Sequence, residues 1–434
     1  VRLICTAGLF LVFICQTLTS QVFTDSNLPI VVINTDGGVQ IPDEPKVLGT
    51  MKIIYRGPGE RNYVSDMTNP AYLNYNGRIG IEIRGQSSTV SPKKQYGFTT
   101  LMANNISNNN VKLLDLPSEN DWILNGMAFD SARIRDFLNY TLSRRLGNYA
   151  SRTVYCEVII NNIYQGLYLL QEKIKSDNNR VDVMKIGVSD NYLPEVSGGY
   201  ITKADKVSGN EPVAFVMYTW YGSYVQYIHE WPKTENATIW QTNYIKSQFE
   251  KLESTARDDN SSLQTGYPSV IDVPSFIDYI IITELGSNPD AGTYSTYFHK
   301  DRNGKLRAGP VWDCDLTYGN DLKFWGYDRS KTTGWRMQDA ENDGSTFWQD
   351  LFYNSEFQCY FTRRWNEIIQ PGQPLNYSNI EALIDQTVET VSEAVARDYI
   401  RWNIYKSYQI EIENIKLFFV ERMTWIGRQL GSFS

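Results

Sequence analysis

The sequence predicts an α+β fold of two lobes, β-rich first and mostly helical second. Two observations carry the prediction. Between Leu28 and Leu101 the chain is a succession of short runs rich in β-branched and aromatic residues, separated by Gly, Asn, Asp and Pro. Beyond about Trp348, apolar residues recur at helical spacing. No Pro- or Ser-rich linker divides the two, so they are expected to pack around a cleft, with 28–175 as the approximate first lobe and 176–434 as the second. At 434 residues the chain exceeds the length at which one core stops growing.

Taken in order, residues 3–15 are almost wholly apolar, follow Arg2 and lead into the small polar run ending at Ser20. That pattern reads as a secretory signal peptide over 1–20, with the mature chain from 21 onward secreted, periplasmic or at the cell surface. No other stretch is apolar enough to span a bilayer, so no transmembrane anchor is expected. The strands are LPIVVINT, VLGTMKIIYR, GRIGIEIRG and KQYGFTTL. A helix follows at DSARIRDFLNYTLSRRLG, with Asp130 as its cap, Ile134, Phe137, Leu138, Leu142 and Leu146 on one face, and Gly147 as its stop. Two strands, RTVYCEVIINN and YQGLYLLQEKI, turn at Asn161 and Asn162. The aromatic stretch VMYTWYGSYVQYIHEWPK within 207–245 fits no single element and reads as a substrate-facing insertion. Helical patterns start near Thr238, resume at FIDYIIITEL, and return over 378–397 and 407–430.

A hydrophobic content of 42% and a charged content of 21% are ordinary for a globular protein, and the net charge of −8 excludes a basic nucleic-acid-binding surface. Cys156, Cys314 and Cys359 cannot make a disulfide framework and match no zinc spacing, so they read as buried small hydrophobes. With only His229 and His299 available as bases, and no G-x-S-x-G turn, nucleophilic serine or cysteine chemistry has no partner.

The most informative segment is NPDAGTYSTYFHKDRNGKLRAGPVWDCDLTYGN, residues 288–320. Thr293 to Lys300 alternates like a strand, Asn303-Gly304 turns, and Lys305 to Trp312 returns. A hairpin brings its open ends together, so Asp290 and Asp313 should sit side by side, with Asp315 two residues on. Clustered carboxylates are tolerated most easily when a divalent cation or a raised pKa relieves their repulsion, and magnesium fits an acidic site short of histidines. The alternative reading of the same residues is a helix or turn cap and two solvated loop aspartates. In the first lobe, Arg84-Gly85-Gln86-Ser87-Ser88 is a small polar turn whose N–H groups could approach phosphate, and Lys93 or Lys94 opens the next strand with positive charge. An ordinary polar hairpin with solvated lysines reads equally from those residues. Arg133 and Arg135 read as salt-bridging surface residues, and Asp205 either supports the cleft or ends a strand in solvent.

RGQSS, PKKQYGF, DWILNGMAFDSARIRDFLNYTLSRRLG, NNIYQGLYLLQEKI, GGYITKADK, NPDAGTYSTYFHKD and GPVWDCDLTYGN resemble, in content and order, the CotH (spore coat protein H) kinase family, over roughly residues 28–430. The leader followed by SNLPIVVINT resembles secreted Bacteroidota-type members. The resemblance implies an atypical protein-kinase-like fold and a bacterial phosphotransferase that moves the γ-phosphoryl of ATP, with Mg2+, to a Ser or Thr hydroxyl of a protein substrate. By position, Asp290 matches the family's catalytic-loop aspartate, and Asp313, with Asp315, its metal-binding aspartate. Lys94, or Lys93, matches the lysine at the ATP phosphates, beside Arg84, Ser87 and Ser88. Glu172 matches a glutamate near the nucleotide or the cleft. The chain departs from ordinary kinases in having RGQSS for a Gly-rich loop, Asn288-Pro289-Asp290 for His-Arg-Asp, and Ser295 where a metal-binding Asn is usual. A serine hydroxyl is the weaker ligand, which argues against a second magnesium. The competing readings are a catalytically weak or inactive scaffold that binds a protein or glycan through its aromatics, and a glycoside hydrolase using the paired carboxylates.

Overall fold

The computed structural model describes residues 23–207, 211–320, 328, 330–339 and 343–431. The apolar leader, with Cys15 and Ser20, lies outside the described residues. The first part of the chain forms β1 (Asp25–Ser26), β2 (Ile30–Thr35), β3 (Val47–Ile54), β4 (Asn62–Tyr63), β5 (Leu73–Arg84), β6 (Gln95–Leu101), β7 (Val111–Leu113), β8 (Leu116–Glu119) and β9 (Asp121–Asn125). Helix α1 (Arg135–Arg145) comes next, then β10 (Thr153–Ile160) and β11 (Ile163–Glu172). Seven of these strands close into a barrel in the order β10-β11-β9-β6-β5-β3-β2. Every pairing is antiparallel except the closing one, where β2 runs parallel to β10 with Ile30 opposite Glu157 and Ile33 opposite Ile160. Val31, Ile33, Met51, Ile79, Phe98 and Trp122 fill the barrel. The sequence reading passed over β7 to β9, which are short and flanked by Asn and Asp, and β9 is a central barrel strand.

The second sheet holds β12 (Tyr200–Ala204), β13 (Phe215–Tyr218), β14 (Tyr224–Trp231), β15 (Thr296–Lys300) and β16 (Leu306–Ala308), antiparallel in the order β13-β14-β12-β15-β16. The unassigned aromatic stretch therefore is a hairpin. Helices α2 (Ile239–Arg257), α3 (Tyr267–Val270), α4 (Val273–Leu285), α5 (Thr346–Tyr353), α6 (Ser355–Ile368), α7 (Tyr377–Arg401) and α8 (Tyr408–Leu430) each contribute buried residues to a core shared with it. Several of them start on side-chain caps: Thr238 with Gln241 makes a capping box on α2, and Asp272 and Asn354 cap α4 and α6. No helix among the described residues is long and apolar enough to cross a membrane.

One expectation is corrected. Helix α1 begins at Arg135, because Asp130 turns its carboxylate to the N–H groups of Ala132 and Arg135 across a loop rather than capping at its own position. The lobes are also joined by a contact the sequence did not announce. Helix α7, from the far end of the chain, packs Val391, Ala394 and Val395 on Leu28, Leu167 and Leu169 of the barrel side. Asp398 of α7 then reaches into that interface. It accepts from Lys93 Nζ at 2.6 Å, the Leu167 N–H at 3.0 Å and Arg133 Nε at 2.9 Å. Gly166 admits this carboxylate, since a Cβ there would stand 2.1 Å from Asp398 Oδ1. Of the cysteines, Cys156 and Cys314 are buried as expected, whereas Cys359 is exposed on α6.

Candidate active site

Helix α4 is buried along nearly its whole length and delivers the loop that follows it into the cleft. Asn288, buried, accepts the Asp290 N–H through Oδ1 at 3.0 Å, and the Asp290 carbonyl accepts from Thr293 and Tyr294 at 3.1 and 2.8 Å. That tight turn fixes Asp290 before β15. At the other open end of the β15–β16 hairpin stands Asp313. Both ends use left-handed backbone at a non-glycine residue, Ser295 with φ 49° and Asp313 with φ 55°. Such conformations cost about 1 kcal/mol or more each and persist where surrounding structure over-determines them.

The over-determination comes from α1. Asp136 Oδ1 accepts the Cys314 N–H at 2.8 Å, and the Tyr140 hydroxyl accepts the Asp313 N–H at 3.3 Å. Asn139 donates to Thr317 Oγ1 at 2.9 Å, and Arg135 Nε donates to the Thr317 carbonyl at 2.8 Å. Four residues within two turns of one helix thus grip the loop 313–318. Arg135 and Arg133 are accordingly core residues, each 1% exposed, and not the surface ion pairs the sequence suggested. Arg135 is bound to Asp130.

The carboxylates crowd one another. Burial, then the neighbouring Asp313, push Asp136 up to about 7. Burial, then Asp313, Asp136, Asp130 and Asp290, hold Asp315 well above the carboxylate range. Asp313 keeps contact with solvent at the cleft surface, so its smaller rise reflects cleft walls that displace part of its water. Arg84 opposes that rise most strongly, Asp205 adds to it, and Lys206 and a hydrogen bond from Ser295 oppose it. Among the described residues no three His, Cys, Asp or Glu side chains converge enough to hold an ion unaided. Hard carboxylate oxygens gathered this way suit a magnesium ion that completes its shell with water and phosphate oxygens.

Opposite them, the barrel contributes the turn after β5. The Arg84 guanidinium lies 5.7 Å from the Trp312 ring centre, beside Asp313. Ser87 Oγ accepts from Lys206 Nζ at 3.1 Å, and Gln86 Nε2 donates to the Val207 carbonyl at 2.9 Å, so the turn is tied across the cleft to the end of β12. The remaining expected residues have the following partners. Lys94 donates to the Thr89 carbonyl of its own loop at 2.6 Å. Lys93, 2% exposed, lies in the Asp398 interface. Ser88 is buried beneath Gly85. Glu172 is wholly buried and takes Arg152 at 2.9 Å and the Tyr149 hydroxyl at 3.1 Å. An adjacent cavity of about 500 Å3 lies behind the hairpin, against Tyr149, His299 and Gly309 to Val311, and none of Asp290, Asp313 or Asp315 lines it.

Sequence reasoning missed Asp136, Asn139, Tyr140 and Lys206 as site residues. The signal for the first three was an acidic and polar face on a helix otherwise read only for its apolar stripe. Residues 81–426 match the family model described as CotH kinase protein. No curated protein matches the chain.

Proposed function

The chain belongs to the CotH kinase family, and from that premise we propose that it is a secreted atypical protein kinase acting with Mg2+ and ATP on a Ser or Thr hydroxyl. The observation that carries this reading is the crowding of Asp313 and Asp315, with Asp290 close enough to act on Asp315, and of the Arg84 cation of the barrel beside Asp313, while α1 holds the backbone of the loop that bears the first two. Phosphoryl transfer asks the protein mainly to position reactants and neutralise charge. Bound Mg-ATP supplies the phosphoryl group and its electrophilic phosphorus. Asp313 and Asp315 would hold the metal, and Arg84, assisted by Lys206, would offset phosphate charge. Asp290 orients the acceptor hydroxyl and takes its proton as the new O–P bond forms and the bond to the bridging oxygen of ADP breaks. In this reading Arg84 takes the role that the sequence gave to Lys94 or Lys93, whose ammonium groups are already engaged in their own loop and in the α7 interface.

Melting curves with and without millimolar Mg-ATP test the reading, because a ligand bound only by the native state raises the melting point. The expected result is a rise of a few degrees in the native protein and none in Asp313→Asn. The same substitution should raise the melting point of the unliganded protein by ~1 °C, since it removes one of several mutually repelling carboxylates. Absence of any Mg-ATP effect on the native protein overturns the kinase reading in favour of a nucleotide-free scaffold.

A further inference from the structure

Beside the Asp290 loop stands a feature that phosphoryl transfer itself leaves unused. The β13–β14 hairpin pairs Val216 with Gln226 and Tyr218 with Tyr224 on one face, and buries Phe215, Met217, Val225 and Tyr227 on the other. Residues directly opposite on antiparallel strands share a face, so the outer face and the tip present Tyr218, Trp220, Tyr221 and Tyr224, exposed by 68, 49, 55 and 58%. Large rings are rarely left in water in a row unless something covers them.

The hairpin is held rigidly, and it is held against the catalytic loop. Trp220 Nε1 donates to the Thr346 carbonyl at 3.1 Å, Thr219 pairs with Ser345, and the Thr219 hydroxyl donates to Asp343. Gly344, next in that segment, lies directly on Gly292, two residues past Asp290: a Cβ on Gly344 would stand 3.3 Å from the Gly292 carbonyl. The rings therefore project from a platform that shares a backbone contact with the loop expected to receive the acceptor hydroxyl.

We propose that the Tyr218–Tyr224 hairpin is the docking platform for the acceptor polypeptide, and that it selects segments with an apolar or aromatic anchor next to Lys or Arg. The run Tyr-Thr-Trp-Tyr-Gly-Ser-Tyr supplies rigid, amphipathic rings with two side-chain torsions each, interleaved with small adaptable hydrogen-bonding residues. That is the composition of surfaces that grip polypeptides at low entropic cost, with Trp and Tyr as the anchors. The preference for a basic neighbour follows from the foot of the hairpin, where Asp343 sits against Thr219 and Tyr221 and Glu253 accepts from the Thr346 hydroxyl. The inference rests on the kinase reading for the word acceptor, but the binding it asserts does not need nucleotide.

The test pans a random peptide library displayed on phage against the native protein, the triple variant Tyr218→Ser/Tyr221→Ser/Tyr224→Ser, and Asp313→Asn. Recovered peptides are then made and their affinities measured. The platform predicts peptides that combine an aromatic or aliphatic anchor with Lys or Arg, bound at least tenfold more weakly by the triple variant and equally by Asp313→Asn. The triple variant should keep its Mg-ATP melting shift, so a lost platform and a lost nucleotide site are read separately. Failure to enrich any peptide, or equal binding by the triple variant, overturns the proposal. So does selective, ring-dependent binding of oligosaccharides on a glycan array, which would make the platform a carbohydrate surface.

Discussion

A buried group that must stay uncharged makes stability depend on pH in a direction fixed by its pKa. His229 is wholly buried, its Nδ1 beside the Thr202 hydroxyl at 3.0 Å, and burial pulls it down to about 4. Because the folded value lies below the unfolded 6.5, its contribution is complete above about pH 6.5 and is lost as pH falls towards 4. The loss should be on the order of 3 kcal/mol at the acid end. Asp136 runs the other way, since a carboxyl raised to about 7 holds its proton more tightly in the native state and weakens the fold as pH rises from about 4 to about 7. Urea unfolding at pH 7 and pH 4.5 separates the two through His229→Asn, which keeps an acceptor for Thr202: the variant should lose distinctly less stability on acidification than the native protein, and an equal loss would count against a neutral buried histidine. At this scale the hairpin with Asp290 and Asp313 at its two ends was legible from its Asn-Gly turn. The partners of the lysines were not. Both precede β6 in a loop, and what claims Lys93 is Asp398, 305 positions away.

Helix α1 and helix α7 have different duties, and substitutions should separate them. Lys93→Met removes one cation from the α7 interface but leaves Asp398 its bonds to Arg133 and the Leu167 N–H. Breaking a buried pair on one side costs about 3 kcal/mol, so this variant should unfold earlier in urea while keeping its nucleotide affinity, read by calorimetric titration. Arg84→Ala should do the reverse, with near-native stability and affinity for Mg-ATP about tenfold weaker, the usual loss for one charge-assisted contact. Equal nucleotide affinities in Arg84→Ala and the native protein would return the phosphate role to a lysine. The sequence declared α7, α8, β10 and β11 through strong periodicity, and α1 apart from its start. It obscured β7 to β9, whose runs are too short to show a period, and β13 and β14, whose rings serve core and surface alike. The loop grip of α1 showed only as a polar face on that helix, because nothing local says that Thr317 and Asp313 come to meet Asn139 and Tyr140.

The division into a β-rich and a helical part could be read directly, since it follows from the order of the elements. Barrel closure could not. It depends on a parallel pairing between β2 and β10, more than a hundred residues apart, and on α7 returning from the far end of the chain to cover the barrel side. That closure also has a practical consequence. The family match begins at residue 81, inside β5, so β2, β3 and the first part of β5 lie before it. A protein trimmed to 81–431 would leave β10 without its parallel neighbour and β5 without β3, two raw backbone edges where the barrel had none. Unpaired edges recruit other chains. Expression of 81–431 beside 23–431 should therefore give insoluble or aggregated material from the shorter form and monodisperse protein from the longer, as judged by size-exclusion chromatography. A soluble, monodisperse short form would mean that the barrel is dispensable ornament rather than a seam whose first stitches lie outside the recognised family segment.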